Sequence, residues 1–285
     1  MTDEIAPAAF LGHGSPMNTL TSNRFTEAWQ SFGAAAPRPR AILVVSAHWY
    51  IAATAVTAMV QPRTIHDFYG FPQELFEVQY PAPGSPEIAE EIADLLQPHW
   101  VGLDRDSWGL DHGTWSVLVH AFPQADIPVL QLSINASQSF DYHLELGAKL
   151  APLREKGVMI IGSGNVVHNL GEIDWKAPDA AFGWNRRFDG DVKEIMTTDP
   201  ARLPSVQKHP DYTRSVPTDE HFIPLLYLAG LAVAANRPAE VLVEGFSMGS
   251  LSMASYTLGC AAQPDDSNTR GASPIIGVPG DQSNT

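Results

Sequence analysis

The 285-residue sequence contains one cysteine, Cys260. A single thiol excludes an intrachain disulfide and points to a reducing compartment. Positive charge is scarce as well: 17 Lys and Arg stand against 32 Asp and Glu, a formal net charge of −15. Phosphate backbones and anionic membranes are held by clustered basic faces, so this balance argues against a nucleic-acid or membrane partner. No run reaches the roughly eighteen apolar residues that a membrane span needs. The opening "MTDEIAPAAFLG" also lacks the long apolar stretch of a signal peptide. The expectation is a soluble, cytoplasmic protein. Short catalytic signatures are missing too: there is no HExxH or CxxC, and "GSGNVV" has too few glycines and no lysine for a phosphate loop.

What is present is an ordinary globular balance, 44% hydrophobic and 17% charged. Four short apolar runs read as buried strands: residues 8–12, 41–48, 127–134 and 158–164. They are nearly continuous, as in strands covered on both faces. Helical patterns lie between them, at 85–97 behind an N-cap Ser85 and Pro86, and at 140–157 up to Gly157. Strands alternating with helices predict one α/β domain over 1–260, with a mainly parallel central sheet and helices on both faces. Residues 241–259 add late strands, and the polar tail 261–285 reads as flexible. The stretch 61–84, rich in Pro, Gly and aromatics, is too long for a plain connection and reads as a binding loop or lid. Residues 198–218 are a second excursion. No internal repeat is visible.

Histidines supply the functional signal. His13 ends the first strand in "LGHGSP", His48 ends the second in "VVSAHW", and His168 follows the strand 158–164 in "GSGNVVHN". Ligands of open α/β sheets bind beyond the carboxyl ends of the strands, and parallel strands put those ends on one side. Three histidines distant in sequence therefore converge there. A lone histidine is more often a core or capping group; three strand ends carrying the same residue are not. His221, placed in the first turn of a helix, and His112, between a turn and a helix, fit the same site by context. His99, His120, His143 and His209 read as surface groups, and nothing local makes His66 a ligand. Several imidazoles around one crevice point to a metal site. A serine hydrolase is the weaker reading. "GFSMG" offers Ser247 in the G-x-S-x-G pattern, but the residues after it suit a strand as well as the helix a nucleophile elbow requires.

The ordered segments "FLGHGSPM", "VVSAHW", "IHDFYGFP", "YPAPGSP", "GLDHGTW", "QLSIN", "GSGNVVHNL" and "EHFIPLLYLAG" resemble the 4,5-DOPA extradiol dioxygenase group of the class III extradiol ring-cleaving dioxygenases. That group is related to protocatechuate 4,5-dioxygenase, and the resemblance runs from about Ala8 to about Leu258. It implies one divalent non-haem metal ion, Fe(II) or Zn(II), on His13, His48 and His221. Better-known relatives use two histidines and a glutamate; here His221 stands at the glutamate position with Glu220 beside it, a neutral set friendlier to zinc. The resemblance also implies that His168 is the acid/base; zinc's preference for a closed four-coordinate shell would make it a fourth ligand when zinc is bound without substrate. It implies that His112 contacts a substrate hydroxyl or oxygen. The partners implied are a catechol, DOPA-like or otherwise, and O₂. Such chemistry needs a metal to hold two ring oxygens and a base with a pKa of about 6.5 to take the remaining proton. The aromatics of residues 66–80 can wall a flat ring. Two readings compete: a zinc-dependent hydrolase, and a non-enzymatic binding protein of the same fold, which would have no use for an acid/base. Oligomeric state is not legible.

Overall fold

The computed structural model describes residues 5–260 and 271–272. Tail residues 261–270 and 273–285, expected to be flexible, lie outside the described residues. The strands are β1 (Ala8–Gly12), β2 (Ala41–Ile51), β3 (Ala55–Thr57), β4 (Gly102–Asp104), β5 (Val129–Asn135), β6 (Val158–Gly164), β7 (Glu240–Val243), β8 (Phe246–Ser247), β9 (Leu251–Ser252) and β10 (Ser255–Leu258). The helices are α1 (Arg24–Ala35), α2 (Gln73–Phe76), α3 (Pro86–Leu95), α4 (His112–Ala121), α5 (Phe140–Lys149), α6 (Ala151–Glu155), α7 (Gly183–Thr198), α8 (Tyr212–Ser215) and α9 (Ile223–Ala234).

Eight strands form one sheet in the order β4-β3-β5-β2-β6-β1-β10-β7. Its centre, β5-β2-β6-β1, is parallel throughout, and antiparallel pairs join β3 to β5, β1 to β10 and β10 to β7. The mainly parallel α/β expectation holds. Alternation within the apolar strands divides the core. Phe10, Leu43, Val45 and Ile160 pack with α3, α5, α7 and α9 on one face. Leu11, Ile42, Val44 and Ile161 pack with α1 and α4 on the other.

Local chemistry sets the helix boundaries. Ser85 caps α3 with Pro86 next, as the sequence predicts. The single helix expected over 140–157 is two, because Pro152 sits at the start of α6 and Leu150 ends α5. His221 precedes α9, whose cap is Phe222, rather than occupying its first turn. His112 is itself the first residue of α4. Strands β8 and β9 pair as a hairpin around Ser247, so no helix follows that serine and the nucleophile elbow is excluded. His143, read as a surface group, is fully buried with its Nδ1 3.1 Å from the Tyr227 hydroxyl.

Helix α9 is apolar on every side and buried from Ile223 through Ala232, as the central helix of its layer. It crosses α5 at very close range: a Cβ on Gly230 would lie 2.1 Å from the Leu144 carbonyl oxygen. Gly230→Ala must therefore push two helices apart. We expect a loss of about 1–3 kcal/mol, the usual cost of overpacking, measured as a lower urea midpoint at unchanged slope.

Candidate metal centre

The parallel centre of the sheet delivers three segments to one end. β1 and β6 run in register to Gly12 opposite Gly164, and the next amide, His13 N–H, donates to the Gly164 carbonyl at 3.0 Å. β2 follows β5 to Val45, then slips, so that Tyr50 pairs with Ile134. On the β5 side Ser46 to Trp49 stand opposite Ser133 alone, while Ser46 still pairs with Ser163 of β6, and this buckle re-aims His48, as bulges near active sites do. His221 is docked on the end of β6, its carbonyl accepting the Asn165 N–H at 2.9 Å. Only glycine permits this approach, because a Cβ on Gly164 would stand 2.2 Å from that carbonyl oxygen. His168 lies just beyond, its amide donating to the Ser215 carbonyl.

Helix α4 brings the fifth imidazole, His112. Asp111 caps it, Oδ1 accepting the Thr114 amide at 3.1 Å and the Ser46 hydroxyl at 2.7 Å. Its Oδ2 accepts from Gln131 Nε2 at 2.6 Å. The buckled part of β2, strand β5 and the start of α4 are thus tied through one carboxylate. Burial, and then the neighbouring Asp67 charge, push its pKa up to about 6 against those hydrogen bonds.

The rings of His13, His48 and His221 form a nearly equilateral triangle, with centroid separations of 5.1, 5.1 and 5.3 Å. His13 Nε2 and His48 Nε2 are 3.3 Å apart. The hydrogen-bond network assigns their tautomers. Ser163 donates its hydroxyl proton to the Gly113 carbonyl, so toward His13 Nδ1, at 3.0 Å, it can only accept. The His13 proton is then on Nδ1 and the Nε2 lone pair is free. Carboxylates stand at the other Nδ1 atoms: Asp67 Oδ2 is 3.3 Å from His48 and Glu220 Oε1 is 3.1 Å from His221. Each favours a proton on Nδ1 and a bare Nε2. Burial, reinforced by the mutual repulsion of the imidazoles, holds His13, His48 and His168 well below the usual histidine range. Two bare nitrogens facing at 3.3 Å repel unless a cation lies between them. Two nitrogens bound to one tetrahedral zinc at ~2.0–2.1 Å each would be about 3.3 Å apart, so the donor set fits a metal ion.

The donor atoms fall into two groups, each within 4.8 Å: His13 with His48 and His112, and His168 with Glu220 and His221. All five expected histidines converge, but His112 packs more closely on His48 than His221 does, with ring centroids 3.8 Å apart. The His168 and His221 rings stack in parallel at 3.5 Å. Burial opposes charge on His112, but the adjacent Asp67 carboxylate outweighs it and raises its pKa. Glu220 is pulled down to about 2 against the cost of its burial by its hydrogen bond and charge contact with His221.

A cleft of about 360 Å³ opens beside the histidines, walled by Tyr50, Trp108, Asp67, Glu220, His48 and His221. The aromatics expected from residues 66–80 do not wall it. Phe68 is buried against Phe71, Phe76 and Trp115, so those rings form a small core under the segment. Asp67, whose carboxylate touches both His48 and His112, was passed over by the sequence reading, in a segment singled out for its aromatics. Asp111 was passed over as well, although an aspartate immediately before an apolar helix is an N-cap signal.

The family described as "Catalytic LigB subunit of aromatic ring-opening dioxygenase" matches residues 8–259. A protein of Escherichia coli (strain K12) named "4,5-DOPA dioxygenase extradiol" is 48% identical over 263 residues, 91% of this chain and 97% of that protein. One of the same name from Beta vulgaris is 37% identical, over 89% of this chain and 97% of its own length. The crystal structure of an uncharacterized protein from Escherichia coli K12 aligns with a TM-score of 0.78 at 44% identity, covering 89% of this chain and 99% of that one. Among the described residues no helix is long and apolar enough to cross a membrane.

The lowered histidines make the metal-free protein acid-sensitive. Unfolded, each titrates near 6.5; folded, each stays neutral to lower pH, so the unfolded chain binds more protons and stability falls as pH drops below about 6.5. Each imidazole held neutral costs about 1.4 kcal/mol per pH unit in that window. The raised His112 has the opposite sign, but its contribution changes only above about 6.5 and leaves the decline below that pH intact. Urea midpoints of metal-stripped protein should decline from pH 7 to pH 5. A flat profile would show that the imidazoles are not kept neutral.

Proposed function

The chain belongs to the family of catalytic LigB subunits of aromatic ring-opening dioxygenases, and we propose that it is an extradiol dioxygenase that opens a catechol-type ring with O₂, using one divalent ion, Fe(II) or Zn(II), on His13, His48 and His221. The observation that carries this reading is the triangle of three equidistant, buried imidazoles. His112 lies to one side of it, 3.8 Å from the His48 ring but 5.9 Å from that of His13. When bound, the ion supplies the positive charge that holds two vicinal ring oxygens side by side and brings O₂ within reach.

The protein's own groups account for the proton and the placing of the ring. Tyr50 and Trp108 give the cleft two aromatic walls for a flat substrate. Burial, and then its neighbour His221, keep His168 uncharged near neutral pH. It therefore receives the proton of the second hydroxyl at a ring nitrogen, as a general base. His112, with Nδ1 turned to Asp67, presents Nε2 as the group that contacts a substrate oxygen. The names of the relatives favour a DOPA-like catechol. Retention of His168 and His112 beside the three ligands argues against a mere binding module. The hairpin that carries Ser247 removes the serine-hydrolase reading, and the zinc-dependent hydrolase is left to the O₂-uptake test below.

His13→Ala, His48→Ala and His221→Ala should each lose metal while staying folded, read by elemental analysis of purified protein. Wild-type metal content in all three would overturn the ligand set. O₂ uptake with a panel of catechols separates ring cleavage from hydrolysis.

His168→Gln separates base from ligand. The iron-loaded variant should keep its metal and bind a catechol anaerobically, yet turn over roughly 10²–10⁴-fold more slowly, the usual share of positioned proton transfer. Loss of iron equal to that of His13→Gln would make His168 a ligand first, and wild-type turnover would remove it from the chemistry.

A further inference from the structure

We propose that Asp67 is a positioning residue that sets, with one carboxylate, the tautomer and orientation of both His48 and His112. Its Oδ1 accepts the His112 backbone amide at 2.8 Å. Its Oδ2 stands 3.0 Å from His112 Nδ1 and 3.3 Å from His48 Nδ1. Neither Oδ2 nor His112 Nδ1 makes a well-aligned hydrogen bond among the described residues, so these are close charge contacts and no other polar group competes for either atom. Both imidazoles thus present Nδ1 to the same acceptor, and an acceptor-only oxygen places the proton there. On His48 this leaves Nε2 bare toward His13, 3.3 Å away, and the His112 ring lies with its donor atom grouped with those of His13 and His48. Histidine ligands elsewhere are held in the same way by a carboxylate behind the ring.

The carboxylate is rigidly carried. The Ile65 amide donates to the Leu110 carbonyl at 2.7 Å, and the Leu110 amide to the Arg63 carbonyl at 2.8 Å. Trp115 Nε1 holds the Ile65 carbonyl at 2.7 Å, and the Phe68 ring packs on Trp115. The segment expected to act as a lid is therefore fastened on both sides of Asp67 to the start of α4. Asp67 also sits at a helix N-terminus, where unpaired amides favour an anion. Burial works against its charge, but His112 and then His48 hold its pKa below the ordinary carboxylate range.

The tautomer inference stands on the metal-free protein; only its effect on metal binding rests on the function proposed above. The test uses full-length, metal-stripped protein labelled with ¹⁵N-histidine, as wild type, Asp67→Asn and Asp67→Glu, with zinc alone as the binding probe. In the wild type, at a pH high enough to leave both rings neutral, the His48 and His112 signals should report protonated Nδ1 and bare Nε2. In Asp67→Asn the amide offers a donor where the carboxylate accepted, and at least one of the two rings should switch. Zinc affinity should drop about 10–100-fold, and Asp67→Glu should keep the wild-type tautomers and recover part of that loss. If the amide variant fails to fold, Asp67→Ala gives the same readout, because the acceptor is gone and the tautomers should mix. Wild-type tautomers and zinc affinity in Asp67→Asn or Asp67→Ala would overturn the proposal. Switched tautomers with unchanged zinc affinity would support it, and would count instead against His48 as a ligand.

Discussion

His13 Nε2 and His48 Nε2 face each other across 3.3 Å, and with Nδ1 of each ring turned to an acceptor both lone pairs point into the same gap. Left to themselves in water, two such rings would turn apart. Much of the surrounding structure holds them together: the register of β1 on β6, the buckled end of β2, the serine behind one ring and the aspartate behind the other. A metal ligand must be unprotonated, and burial meets that requirement before any ion arrives. The lowered pKa values and the closely set nitrogens are two results of the same enclosure.

A polar network makes that enclosure tolerable. Ser46, Asp111 and Gln131 bond to one another between β2, α4 and β5, and Ser163 links β6 to α4 through the Gly113 carbonyl. Such groups are costly when unpaired and rigid when fully paired. Here they join sheet and helix at the one place where the ladder of β2 is broken. The apolar layers build the scaffold, and these few hydrogen bonds decide where its histidines point.

The sequence made the scaffold legible because continuous apolar runs such as 41–45 and 158–161 have few alternatives to a buried strand. It revealed the convergence of His13, His48 and His168 because parallel strand ends share a side. The residue-long details were hidden. β3 and β4 are three residues each and make sense only as partners of β5 and of each other. His143 looked polar in context, and its burial under Tyr227 depends on how α5 meets α9. His221 reaches the site through a backbone bond to Asn165, which no local pattern encodes. Asp67 was concealed for a similar reason: its importance comes from two histidines, one before it and one after it in the chain.

Roughly two hundred residues separate His13 from His221 along the chain. The pocket between them therefore cannot exist in any early fragment; it closes only when β1 has found β6 and the turn before α9 has settled on the end of that strand. Long-range pairings of this kind form slowly. An ion cannot serve as the nucleus around which this polypeptide collapses, as it does in a zinc finger. On the metal-dependent function proposed above, the polypeptide must first be stable while empty, with its crowded imidazoles uncompensated, and loading is the last event of its maturation. The occupying metal is then chosen by what is available to a finished protein.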